Sequence, residues 1–139
     1  MQIPFTKYHG TGNDFILIDK RKFKPELSKE NIALMCHRRF GIGADGLIYL
    51  TQSSSYDFEM VYFNSDGNEG SMCGNGGRCI TAFAHQLGII EKKARFLATD
   101  GEHQSNILNE KDNEYQIKLQ LSDEKSVVQH GDTFEINTG

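Results

Sequence analysis

Apolar and polar residues alternate along most of this chain, and a period of two predicts strands more often than helices. Strand patterns cover Ile3 to His9, with Pro4 tolerable near a strand start or on an edge, then Phe15 to Asp19, Leu47 to Thr51 and Asp57 to Asn64. Later ones cover Ala94 to Thr99, Glu102 to Leu108 and Glu114 to Leu121, and a last one runs from Asp132 to Asn137. Asp100-Gly101 between two such runs signals a hairpin, and Glu110 to Asn113 reads as a charged turn. Helical spacing takes over twice. Ser28 caps a helix from about Lys29 to Arg39 in which Ile32, Met35 and Cys36, with Phe40 just beyond, share one face. A second helix runs from about Asn75 to Leu87 and is closed by Gly88. Strands dominate without a regular strand-helix alternation, so the expected class is α+β.

One stretch, Tyr62 to Gly88, draws the rest together: a strand end, a polar loop, and a helix whose first turn carries Cys73. The first N–H groups of a helix lack carbonyl partners and point outward, which favours a thiolate and predicts a lowered Cys73 pKa. Gly74, Gly76 and Gly77 leave those amides open to an anion. A small buried cysteine in a glycine-rich turn is the plain alternative. Asn13, in the turn His9 to Phe15, is either part of an ordinary hairpin or an amide projecting into a cleft. Asn64 arrives at the lip of the Cys73 loop from its strand.

Two signatures fail on these residues. Cys73 and Arg78 stand one residue too close for a cysteine-phosphatase loop. Gly41 to Gly46, G-I-G-A-D-G, matches the dinucleotide pattern in letters but follows a helix and precedes a strand, the reverse of what a pyrophosphate site requires.

With 139 residues the chain is large enough for one domain with a real core. Its 15 basic and 19 acidic side chains are interspersed and give a net charge of −4, which argues against nucleic acid as a partner. The longest apolar run, Phe15 to Ile18, is too short to span a bilayer, and the N-terminus has no signal-like region, so a soluble cytoplasmic protein is expected. Cys36, Cys73 and Cys79 lack metal-site spacing and fit reduced thiols. Cys36 and Cys79, each among apolar neighbours, read as packing.

The motifs H-G-T-G-N-D-F (His9 to Phe15), R-F-G-I-G-A-D-G (Arg39 to Gly46), F-N-S-D-G (from Phe63) and C-G-N-G-G-R-C (Cys73 to Cys79) together resemble the N-terminal half of the diaminopimelate epimerases. The resemblance implies mostly antiparallel strands wrapped around a central helix, one half of a two-domain pseudo-symmetric fold. It also implies a cofactor-independent, metal-free isomerase of lysine and peptidoglycan precursor synthesis that interconverts LL- and meso-diaminopimelate. Two cysteines would face each other across the α-carbon, one as base and one as acid. Cys73 would be one of them. Gly74 and Asn75 would hold the substrate's α-carboxylate through backbone N–H groups, while Asn13 and Asn64 would bind its polar groups. Relatives often carry Gln where this chain has Gly46, which puts a contact there in doubt.

Family members are about twice this length, and neither Cys36 nor Cys79 sits in a motif matching the second cysteine. The expected division is therefore an N-terminal half-domain over residues 1–121, followed over 122–139 by the crossover and first strand of a second half. Alone, such a half is expected to be inactive, to leave the Cys73 cleft open to water, and to offer its tail strand for pairing with the missing half or another copy. The competing readings are a proline racemase or phenazine-pathway type of isomerase, or a ligand-binding module without thiol chemistry.

Overall fold

The computed structural model describes residues 1–120. Its elements follow in the order β1 (Thr6–Gly10), β2 (Asn13–Asp19), α1 (Lys29–Cys36), β3 (Gly46–Thr51), β4 (Phe58–Asn64), β5 (Glu69–Gly70), α2 (Gly74–Gln86), β6 (Lys93–Ala98), β7 (Gly101–Lys111) and β8 (Glu114–Gln120). The strands form one sheet ordered β1-β2-β3-β4-β6-β7-β8, with β5 paired to β4. Most neighbours are antiparallel. The two parallel pairs, β2 with β3 and β4 with β6, are the ones joined through α1 and α2, because parallel strands need a long crossover.

The period of two decides which side chain meets which helix. Phe15, Leu17, Ile48, Leu50, Phe58 and Met60 pack with α2, whereas Ile16, Ile18, Leu47 and Tyr49 pack with Ile32, Met35 and Cys36 of α1. The middle of the sheet is therefore covered on both sides, and Phe15 to Ile18 are all 0% exposed. Around α2 the sheet curls until its ends approach each other: the rings of Tyr8 on β1 and Tyr115 on β8 are 6.4 Å apart, and Phe83 of α2 lies 6.3 Å from Tyr8. Helix α2 is thereby enclosed, with Cys79 to Ala84 all buried. A Cβ on Gly77 would stand 2.7 Å from Leu119 Cδ2 of β8, so the missing side chain lets that strand close over the helix.

The α+β expectation holds, and several boundaries move. The first strand begins at Thr6 instead of Ile3, and the second begins at Asn13. Ser28 does cap α1, its Oγ accepting from Asn31 N–H at 3.0 Å, but the helix ends at Cys36 and Phe40 is 77% exposed rather than on the apolar face. His37 turns extended, and its Nδ1 accepts from the N–H groups of Arg39 and Phe40, giving those amides a partner outside the helix. The chain then folds back over the helix end, with Gly43 N–H donating to Met35 O. A Cβ on Gly41 would fall 1.9 Å from Leu34 O, so that glycine permits the reversal. Strand β7 continues to Lys111, and the turn to β8 is Asp112-Asn113, both at positive φ as a tight hairpin requires. The two-residue β5 gave no periodic signal because it rests on backbone pairing alone. The expected strand from Asp132 to Asn137, the boundary near Ser122 and the tail-pairing edge lie outside the described residues. No described helix is long and apolar enough to cross a membrane.

Candidate active site

Cys73 is the N-cap of α2, with φ −118° and ψ 162°, the position where Ser, Thr, Asp or Asn commonly stands. Its Sγ takes the place of a capping oxygen and accepts from Gly76 N–H at 3.3 Å. A Cβ added to Gly76 would sit 3.4 Å from that sulfur and 3.3 Å from Met60 Cε, so a bare glycine lets amide and sulfur meet. On the outer side, a Cβ on Gly74 would meet only Arg78 Nη1 among the described residues, at 4.0 Å. The described residues leave the approach to the first turn open there.

The sheet delivers three positions to this end of α2. Cα pairing aligns Phe15 with Gly46 and Gly46 with Asn64. Asn13, Gly46 and Asn64 each continue the alternate row that faces α2, two residues beyond Phe15, Ile48 and Tyr62 respectively. They are the polar ends of apolar rows. Asn13 Oδ1 lies 4.0 Å from Cys73 Sγ and accepts from Asn75 Nδ2 at 3.2 Å, so Asn13, Cys73 and Asn75 form one cluster. Asn75 also packs against Gly10, where a Cβ would stand 2.9 Å from Asn75 Oδ1. Asn64 stands two strands from β2 and is held by its backbone, which donates to Asn68 O at 2.8 Å and accepts from Gly67 N–H at 2.9 Å. Its exposed amide lies over Gly70. Gly46 differs from the other candidates, since it is buried and a Cβ there would lie 2.8 Å from Tyr62 Cε1. Its lack of a side chain leaves room for the Tyr62 ring.

A profile described as diaminopimelate epimerase matches residues 5–127. The chain belongs to the diaminopimelate epimerase family. It is 52% identical over 134 residues to the diaminopimelate epimerase of Flavobacterium psychrophilum, covering 96% of this chain and 51% of that one. It is 56% identical over 89 residues to diaminopimelate epimerase 1 of a Nostoc species, covering 63% of this chain and 32% of the relative. The chain thus spans at most about half the length of these curated relatives. Among solved structures it resembles a hydroxyproline epimerase from Agrobacterium vitis, with TM-score 0.62 and 12% identity over 83% of this chain and 40% of that one. A PhzF-family phenazine biosynthesis protein from Bacillus anthracis gives TM-score 0.58 and 19% identity over 84% of this chain and 38% of the other. At such identities these likenesses speak for the fold alone.

Electrostatics at Cys73 differ from the expectation of a lowered pKa. Burial pushes the Cys73 thiol above its ordinary value, while the N–H groups of Gly76 and Asn75 and the charge of Arg78 pull it down without overcoming the loss of water. The helix start moderates the shift and does not reverse it. Tyr62, facing the same space, is pushed up to about 12 by burial and then by Cys73. Cys79 and Cys36 are pushed up to about 12 and about 11 by desolvation, as packing residues should be. A hollow of about 460 Å³ lies elsewhere, lined by residues including Lys93, Arg95 and Lys118 on β6 to β8, next to where the described chain ends. The polar groups that converge on a thiol are at Cys73, away from this hollow.

Sequence reasoning missed the charged group behind Asn13. Asp45 Oδ2 accepts from Asn13 Nδ2 at 2.7 Å and from Asp14 N–H at 3.2 Å. Arg38 bridges the two acids, donating to Asp14 Oδ1 at 2.8 Å and to Asp45 Oδ1 at 3.0 Å, and Lys7 reaches Asp14 at 3.0 Å. The Arg38 guanidinium holds the Asp14 carboxyl far below the usual carboxylate range, so it stays charged at neutral pH. The available signal was Asp45 itself, the one charged residue among the glycines of G-I-G-A-D-G.

Proposed function

We propose that this chain carries one face of a cofactor-independent amino-acid epimerase site that interconverts LL- and meso-diaminopimelate, with Cys73 exchanging a proton with the α-carbon. The observation that carries this reading is a partly buried thiol at the opening turn of α2, hydrogen-bonded to Gly76 N–H and beside Asn13 and Asn75, in a chain 52% identical to a diaminopimelate epimerase. The amides of Gly74 and Asn75 suit the substrate's α-carboxylate, and Asn13 and Asn64 suit its other polar groups. Inversion at carbon needs a base on one side and an acid on the other. Cys36 ends α1 on the far face of the sheet and Cys79 lies in the core, so neither is placed to serve opposite Cys73. The opposing thiol therefore comes from outside the described residues, and residues 1–139 alone supply one proton-transfer face and no turnover.

The test is α-proton exchange in D2O with LL-diaminopimelate, run on this chain alone and on this chain joined to the remaining half of the Flavobacterium psychrophilum relative, with and without Cys73→Ala. The joined protein should exchange deuterium and form the meso isomer, and its Cys73→Ala variant and the chain alone should not. Alkylation of Cys73 in the joined protein should be slowed by diaminopimelate and not by proline. Exchange surviving in Cys73→Ala, or stronger protection by proline, would remove this reading in favour of another site or a proline-type substrate.

A further inference from the structure

The amides around Cys73 belong to a hydrogen-bond chain with charged groups at both ends. Arg78 Nη2 donates to Asn75 Oδ1, Asn75 Nδ2 donates to Asn13 Oδ1 at 3.2 Å, and Asn13 Nδ2 donates to Asp45 Oδ2 at 2.7 Å. A guanidinium can only donate and a carboxylate can only accept, so the two ends dictate the same orientation for both amides between them. Reversing Asn13 alone would turn its NH2 toward the NH2 of Asn75 and its carbonyl toward the Asp45 carboxylate. Two contacts would become repulsive at once.

The consequence falls on the sulfur. With Asn13 held this way, its carbonyl oxygen is the atom facing Cys73 Sγ, at 4.0 Å, while Gly76 N–H approaches the sulfur at 3.3 Å. A carbonyl can accept from S–H and repels a thiolate, so it favours the protonated form. We propose that Asp45 is a positioning residue that, by accepting from Asn13 Nδ2, turns the Asn13 carbonyl toward Cys73 and keeps the resting thiol protonated. Arg38, donating to Asp45 Oδ1 at 3.0 Å, fixes the carboxylate from behind. Among the described residues, the other titratable groups around the sulfur are Arg78 and Cys79 on α2 and Tyr62 on β4, with Asp14 beside Arg38. Burial of the sulfur acts in the same direction as the carbonyl.

The inference rests on Cys73 being the proton-transfer group of the proposed function, but its test reads the thiol without substrate, so either can fail while the other stands. The pH midpoint of Cys73 alkylation by iodoacetamide is measured in the unchanged chain, in Asp45→Ala, in Asn13→Ala and in the double variant, with far-ultraviolet circular dichroism as the folding check. Asn13→Ala and Asp45→Ala should each lower the midpoint by about half a unit, roughly threefold more thiolate below it. In the double variant Asp45→Ala should add nothing, because its route through Asn13 is already gone. An equal drop from Asp45→Ala with and without Asn13 would make Asp45 a distant charge only and overturn the proposal. So would a midpoint that stays or rises in Asn13→Ala, which also decides the matter if Asp45→Ala does not fold. Easier access raises the plateau rate and, by hydrating the sulfur, lowers the midpoint in Asn13→Ala as well, so the comparison of the Asp45 variant with and without Asn13 carries the decision.

Discussion

Cys73 and Cys79 lie in one helix region six positions apart and have opposite fates. Cys73 caps the start of α2 at the rim of the sheet, partly exposed and bonded to a backbone amide, whereas Cys79 is 4% exposed in the core formed by the curled sheet. Burial raises both thiols and the Arg78 charge pulls both back, yet only the first also has backbone N–H groups pulling it down. The difference teaches that a cysteine's chemistry here depends on where the sheet stops covering α2. The side-chain rows that bury Cys79 include the one that ends in Asn13, whose amide oxygen lies 4.0 Å from Cys73 Sγ.

The strongest way to break the contrast is to open the core. Phe83→Ala should cost about 3–5 kcal/mol by denaturant unfolding and should make Cys79 label at a rate set by opening of the fold. Gly41→Ala forces a Cβ against the Leu34 carbonyl, 1.9 Å away, and should cost about 1–3 kcal/mol while sparing the order in which the thiols react. Ser28→Ala removes the α1 cap on the other face of the sheet; it should cost about 1 kcal/mol in the same assay and leave the Cys73 alkylation rate alone. The smallest change sharpens the contrast instead. Arg78→Gln keeps a donor for Asn75 and removes the charge, so the Cys73 midpoint should rise and alkylation at pH 7 should slow about threefold, read by mass spectrometry.

Much of this was legible in the sequence, since each two-residue alternation meets a helix on a predictable side. The Ser28 cap, the two helices, the packing of Cys36 and Cys79, and the placing of Cys73 at a helix start all follow from local rules. What escaped was non-local. The end of α1 depends on the His37 ring and on Gly41 crossing Leu34, neither of which has a period. The direction of the Cys73 shift depends on how much water the curled sheet excludes, a sum over distant strands that a helix-start argument does not contain. Asp45 looked like one more polar residue in a glycine turn. Only the parallel pairing of β2 with β3 brings it beside Asn13.

The most direct test of this account is the order and pH dependence of alkylation in the folded chain, mapped by peptide mass spectrometry. Cys73 should react first, with Cys36 and Cys79 modified only as the fold opens, and its rate should rise with a midpoint above the free-cysteine value of about 8.5. Earlier modification of Cys36 or Cys79, or a Cys73 midpoint below neutrality, would contradict the claim that the rim of this sheet holds one accessible thiol in its protonated form.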